Sequence, residues 1–304
     1  MPRAWPLLAR TPWVLLLCHS THAQELEPRA YSPNPVGVNF IGLGVGHSSG
    51  DVLLDPSLPL TDVKARLTTG FTGFGRTFGL FGRSASIGFA ATYVTADVSG
   101  NVGEDKREVQ RRGFGDPRLR FTLNLIGCEA LSPAQFAQRR PQPLLGVTLV
   151  LAPPLGQYDP TRLVNVGTNR WGIKPELGFS QPVGRWYLDA YAGVWFFTQN
   201  DAFFGGTTRQ QEPIHTFQAH VSYTVRPQLW FAADATHYRG GQSSIDGNSR
   251  TDALANTRIG ITMSLPISPR QSFKLSWSDG VATRVGGDFT SYALSWQYMW
   301  IDRP

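Results

Sequence analysis

Apolar and polar positions alternate over most of the chain beyond residue 35, at the period of two that puts successive side chains on opposite faces of a strand. In Arg118–Leu125, Leu119, Phe121, Leu123 and Leu125 fall on one face, and Arg118, Arg120, Thr122 and Asn124 on the other. Segment 170–180 repeats this, with Trp171, Ile173, Pro175, Leu177 and Phe179 opposed to Arg170, Lys174, Glu176 and Ser180. So does 257–264, where Ile259, Ile261 and Met263 oppose Arg258, Thr262 and Ser264. Twelve such strands are predicted, at 36–46, 62–78, 84–96, 115–126, 143–152, 170–180, 186–198, 214–225, 229–238, 256–265, 271–278 and 289–300. The one helical turn predicted is Ser132–Arg139, where Ser132 can cap and Pro133 suits the first helical position.

The connections alternate too. Those after the second, sixth, eighth and tenth strands are tight: Gly79–Arg83, Gln181–Arg185, Arg226–Gln228 and Pro266–Arg270. Those after odd-numbered strands are long and polar, as at Asp97–Phe114, Pro153–Asn169 and Arg239–Ala255. Gly127–Gln142 breaks the rule, since parity puts this long stretch among the short turns. A meander with unequal ends suits an outer-membrane barrel, whose short turns are periplasmic and long loops extracellular. A soluble sandwich or lipocalin-like barrel would also alternate, but here the polar face is too charged for a core and the apolar face too aromatic for a surface. Trp186 and Phe196 share the apolar face of one strand. At about 3.3 Å per residue and a tilt near 40° they span roughly 25 Å, the height of a lipid-facing band between aromatic girdles. The final strand sets Tyr292, Leu294, Trp296, Tyr298 and Trp300 against Ser291, Ser295 and Gln297, a pattern suited to recognition by the barrel-assembly machinery. Closure would remove the edges of so many strands. The expectation is an all-β, monomeric, transmembrane up-and-down antiparallel β-barrel of about twelve strands. Phe121, Trp171, Phe179, Trp186, Tyr292 and Trp300 form its lipid-facing girdle.

Composition narrows this further. The 304 residues hold 28 Lys and Arg against 22 acids, with no cationic run, which argues against nucleic acid as a partner. No stretch of about 20 apolar residues follows the first 23, so helical spans are excluded. Residues 1–23 read as a cleaved secretory signal peptide: Arg3 and Arg10, the apolar Trp13–Cys18, then Thr21-His22-Ala23. Removal of Cys18 with that leader leaves Cys128 alone, so neither an intramolecular disulfide nor a multi-cysteine zinc site is available. The expected organisation is leader 1–23, a short periplasmic lead-in 24–35, too short for a folded hatch but able to dip into the pore, and a barrel 36–304 in the outer membrane.

Gly156-Gln-Tyr-Asp-Pro-Thr-Arg-Leu-Val-Asn165 and Gly167-Thr-Asn-Arg-Trp-Gly-Ile-Lys-Pro-Glu176 resemble the outer-membrane transporter family named for the MetA pathway of phenol degradation. Arg111–Arg120, Tyr191–Phe197 and Thr283–Asp288 fit the same likeness, which extends over nearly the whole mature chain. The resemblance implies an outer-membrane channel or transporter for aromatic or other small compounds.

The alternation assigns a lumen-facing set: Lys64, Arg66, Arg118, Arg120, Arg170, Lys174, Glu176, Asp189, His220, Asp234, Arg258 and Lys274, with aromatics that include Tyr191 and Trp195. Eight cations against three acids suit a wall that concentrates anionic solutes. The opposing reading is that these charges pair to rigidify a polar core. Lys64, Arg118, Arg120, Arg170 and Lys174 form a basic side, and Asp189, His220 and Asp234 with the Tyr and Trp group an acidic, aromatic one. His47 and Ser49 invite comparison with twelve-stranded outer-membrane phospholipases, but no Asn completes the set, so no catalytic residues are assigned. The six histidines show no metal-ligand spacing, and neither metal nor cofactor is expected. The reading is a channel or transporter for small, anionic aromatic compounds with a narrow or occluded lumen. The alternative is a structural or surface-interaction barrel that conducts nothing.

Overall fold

The computed structural model describes residues 26–54 and 60–302, so the expected leader lies outside the described residues. Its strands are β1 Val38–Leu53, β2 Leu60–Leu80, β3 Arg83–Val102, β4 Asp105–Phe114, β5 Arg118–Ile126, β6 Leu144–Ala152, β7 Gly172–Val183, β8 Trp186–Phe197, β9 Asn200–Phe203 and β10 Thr207–Gln211. They continue as β11 Ile214–Arg226, β12 Leu229–Gly240, β13 Ser243–Ile245, β14 Asn248–Ser249, β15 Leu254–Ser268, β16 Gln271–Ala282 and β17 Gly286–Ile301. One sheet runs β2-β1-β17-β16-β15-β12-β11-β8-β7-β6-β5-β3-β4, and pairing of β2 with β3 closes it into a barrel. β4 and β5 both pair with β3, through Tyr93↔Phe114 and Ala90↔Arg118, and act as upper and lower parts of one wall strand. The wall therefore has twelve antiparallel staves, as the alternation predicts.

Both barrel termini and the short turns lie at one end, here the turn end. The β2–β3 turn has positive φ at Phe81 (51°) and Gly82 (73°), the handedness that matches strand twist in a two-residue hairpin. The Gly127–Pro143 connection lies at this end as parity requires, because Ser84 N donates to Cys128 O (3.1 Å) and Ala130 N to Gly82 O (3.1 Å). Its helical turn α1, Pro133–Phe136, is closed by a capping box between Ser132 and Gln135. Cys128 is fully buried against Tyr31, Leu144 and Tyr191, and burial pushes its thiol pKa up.

At the loop end the expected connections carry structure of their own. The stretch Asp97–Phe114 is a hairpin that extends the wall, and β9, β10, β13 and β14 form a second small sheet above the barrel.

The outer face is apolar. Leu43, Val45, Phe74, Leu119, Leu177, Leu188, Phe217 and Ile261 are all exposed on it, a continuous belt that no soluble monomer would present to water. Trp171, Phe179, Trp186 and Tyr292 are exposed on the same face. Phe121 and Trp300 are half-buried there, packed against the rings of Phe78 and Phe74.

Candidate functional site: the barrel lumen

Inward-facing positions of β5, β7, β8, β11, β12, β15 and β16 bring most of the predicted polar set together inside the barrel. Arg170, Lys174, Glu176, Asp189, Tyr191, Trp195, His220, Asp234 and Arg258 are buried there. Arg118 joins them beside the Trp195 ring (5.9 Å), and Lys274 beneath Trp230 (5.9 Å).

Lys64 and Arg66 do not belong to this set. They are exposed on the outer face of β2, while Val63 and Ala65 are buried inside with Val52, Val98, Val164 and Phe289. The strand keeps its parity, but the chemistry of its two faces inverts towards the loop end. There the outside meets water and lipid headgroups, and the inside is filled by Val164 of the 153–171 loop.

The lead-in enters the pore, as its length allows. Residues 26–31 form a strap across the lumen. Glu27 is ion-paired with Arg120, whose Nη2 also donates to Glu176 Oε1 (3.4 Å). Glu176 Oε2 accepts from Lys174 Nζ (2.9 Å), with both side chains almost fully buried. The result is an alternating chain of two cations and two anions with no net charge.

Arg29 answers the opposite wall. Its Nε donates to Ser222 Oγ (2.8 Å) and its Nη2 to Thr224 Oγ1 (2.6 Å). Its backbone N donates to Asp189 Oδ2 (3.3 Å), and its guanidinium lies 4.7 Å from the Tyr187 ring and 4.8 Å from the Trp230 ring. The electrically lopsided wall is thus the complement of the strap: Glu27 sits on the basic side and Arg29 on the acidic, aromatic side. Tyr31 completes the fit. Its ring packs against Tyr191 (4.9 Å), its Oη donates to Glu176 Oε1 (3.2 Å), and any Cβ at Gly178 would fall within that ring.

Beside the strap, His220 Nδ1 and Asp234 Oδ1 are 2.7 Å apart, and Thr262 Oγ1 donates to Asp234 Oδ2 (2.7 Å). This buried set lies against Tyr191 (5.1 Å) and serves to fix the wall. His47 is exposed on the outer face, where its Nδ1 contacts Thr68 Oγ1 (3.2 Å). Among the described residues no group of His, Cys, Asp and Glu could hold a metal ion.

The strap divides the lumen. On its turn side is a cavity of about 210 Å³ lined by Tyr31, Arg120, Thr122 and Asn124. On its loop side is a cavity of about 480 Å³, floored by Leu26 and Glu27 and roofed by Val166, Gly115 and Asp116. Asp116 holds the roof: its carboxylate accepts from Gly156 N (2.8 Å), Thr168 N (2.9 Å) and Thr168 Oγ1 (2.7 Å). Gly156 and Gly167 touch backbone to backbone, and Arg111 Nε donates to Val164 O (2.7 Å). The Gly156–Glu176 motif is therefore largely a folded lid.

The family model for the MetA-pathway of phenol degradation matches residues 45–298. The chain belongs to this family. An outer-membrane channel from Pseudomonas putida F1 superposes on this MetA-pathway family member with a TM-score of 0.79 at 22% identity, covering 91% of this chain and all of that one. The transport unit of the autotransporter AIDA-I from Escherichia coli superposes with a TM-score of 0.51 at 13% identity, over 92% of this chain and 94% of that one. No curated protein matches the chain in sequence. These likenesses establish an outer-membrane barrel fold for this family member.

The strap residues Glu27, Arg29 and Tyr31 are the functional positions that alternation could not supply. Their signal was the mismatch itself, a basic wall and an acidic wall facing each other with opposite charges just upstream.

Proposed function

We propose that the protein is an outer-membrane channel for small solutes that rests closed, with its turn end in the periplasm. The observation that carries this reading is the strap: a segment of the chain, rather than the barrel wall, separates two lumenal cavities. A path opens when residues 26–31 leave their seats. Planar-bilayer recordings test this with the mature chain and a variant lacking residues 24–31. Rare openings in the first and steady conductance in the second are expected, and silence in both favours a structural or surface-interaction barrel. The finer reading is a preference for anionic, ring-bearing solutes. Arg120 and Lys174 are neutralised within the lumen, and Arg258 and Lys274 carry that preference. Reversal potentials under a salt gradient check it, and cation selectivity in the unstrapped variant would remove it.

One feature favours a second reading for uncharged solutes. Backbone pairing of β16 with β17 ends at Ser278↔Ser291, beyond which the strands are joined by Thr290 Oγ1 donating to Asp279 Oδ1 (2.6 Å), and the ladder pair Ser276 and Ala293 lines both the inner cavity and an outer apolar groove of about 660 Å³. A disulfide between Ser278→Cys and Ser291→Cys would lock this seam. It would block exit into lipid while leaving ionic conductance intact.

A further inference from the structure

The loop-side cavity has two unlike walls. Leu67, Phe71, Val94 and Phe289 make one compact and apolar, while small hydroxyl side chains, Ser276, Ser278 and Ser291, surround Arg258 on the other. Arg258 is 3% exposed, and it reaches this wall from β15. Its Nη2 donates to Phe289 O (2.8 Å), Ser278 Oγ (3.0 Å) and Ser291 Oγ (3.4 Å), which ties β16 to β17 from inside at the end of their ladder. Its Nη1 is buried and has no hydrogen-bond partner. A buried guanidinium nitrogen without an acceptor is costly to leave so, and a bound anion removes that cost while gaining a charge-assisted hydrogen bond. Of the other charges on the lining, Glu27 is engaged by Arg120, Asp116 by the 153–171 loop, and Arg118 lies beside the Trp195 ring. Asp279 and Asp288 lie near enough to act on the Arg258 guanidinium, but neither is a hydrogen-bond partner of its Nη1.

We infer that this cavity is a binding subsite for a small monocarboxylate with a compact apolar body, its carboxylate on Arg258 Nη1 and its body against Leu67, Phe71 and Phe289. The inference rests on the lumen being a solute path, and it names the class of solute and the residue that selects it. The cavity volume falls within the range of small-molecule sites, about 300–1,000 Å³. The serines are positioned to accept or donate to the second carboxylate oxygen. A neutral analogue of the same shape leaves Nη1 unsatisfied, which is the basis of discrimination.

Equilibrium dialysis of radiolabelled benzoate against the detergent-folded mature chain tests the subsite, with benzamide as the uncharged probe of similar shape. Saturable benzoate binding is expected, roughly tenfold to a hundredfold tighter than benzamide, the value of one hydrogen bond to a charged group. Arg258→Gln should erase that difference and Arg258→Lys should retain part of it, with heat-modifiable gel mobility showing that each barrel is folded. Equal binding of benzoate and benzamide by the wild type overturns the proposal without any variant, and so does benzoate binding unaffected by Arg258→Gln. Conductance is read separately. A conducting barrel that does not discriminate loses the subsite and keeps the channel, whereas a silent barrel that binds benzoate through Arg258 keeps the subsite and loses the channel.

Discussion

Replacing Gly178 by alanine should open the barrel without altering any residue of the strap. Gly178 lies on the inner face of β7, and a methyl group there occupies the space of the Tyr31 ring. The β7 backbone accepts alanine, since Gly178 is not among the glycines with positive φ. Tyr31 is only 1% exposed, so unseating it forfeits an aromatic burial of about 3–5 kcal/mol on the scale of large-to-small core changes. At about 1.4 kcal/mol per decade, the closed state loses roughly a hundredfold to several thousandfold of its advantage over the open one. The assay is single-channel recording of Gly178→Ala beside wild type, with a spin label at Ser32 reporting strap mobility. The open fraction should rise by at least two orders of magnitude and the label should become mobile. A folded Gly178→Ala barrel with wild-type conductance and an immobile label would refute the claim that Tyr31 seats the strap.

Three further outcomes are expected. Cys128 should resist thiol reagents in the folded protein, and its labelling should rise only at pH above the range of a free thiol, because burial raises its pKa and only the thiolate reacts. Labelling from outside intact cells would contradict the proposed periplasmic position of the turn end. Asp116→Ala removes at least three hydrogen bonds to a carboxylate. It should loosen the 153–171 lid by about 2–4 kcal/mol, seen as protease cleavage in that loop while the barrel stays heat-modifiable. Spin labels replacing Trp171, Phe179, Trp186 and Tyr292 should meet lipid-soluble quenchers, whereas labels at Lys64 and Arg66 should meet water-soluble ones. The reverse pattern at Lys64 would place that face inside the lumen after all.

The barrel was largely legible from alternation, because lipid on one side and a polar lumen on the other impose a uniform rule on every stave. The rule fails where its cause does. Near the loop end of β2 no lipid tails remain, so Lys64 and Arg66 point outward and Val63 and Ala65 inward. Asp97–Phe114 reads as a loop for the same reason, since a hairpin wetted on the outside lacks the apolar signature of a membrane strand. The twelve inward groups from Arg118 to Lys274 were readable one strand at a time, but their partners were not. Pairing of Arg120 with Glu27, 93 residues away, depends on a segment with no periodicity of its own. Arg258 stood out only as one cation among eight, because periodicity could not reveal that the β16–β17 backbone ladder ends at Ser278.

The strap precedes β1 in the chain, yet its seats are on β5, β7, β8, β11 and β12, across the lumen from where β1 meets β17. Arg29 and Thr224 are 195 residues apart, so the segment that precedes β1 is among the last to find its partners. Contacts this distant in sequence form late, because their loop-closure entropy must be met before they contribute. Assembly then has a fixed order of events at its end. The strands from β5 to β12 must stand before the strap has a surface to settle on. If β1 zips to β17 first, the strap must thread back through the narrow mouth between the short turns. A barrel that closes around its own leading segment avoids that step, so the timing of the β1–β17 closure decides whether the strap is seated from the start.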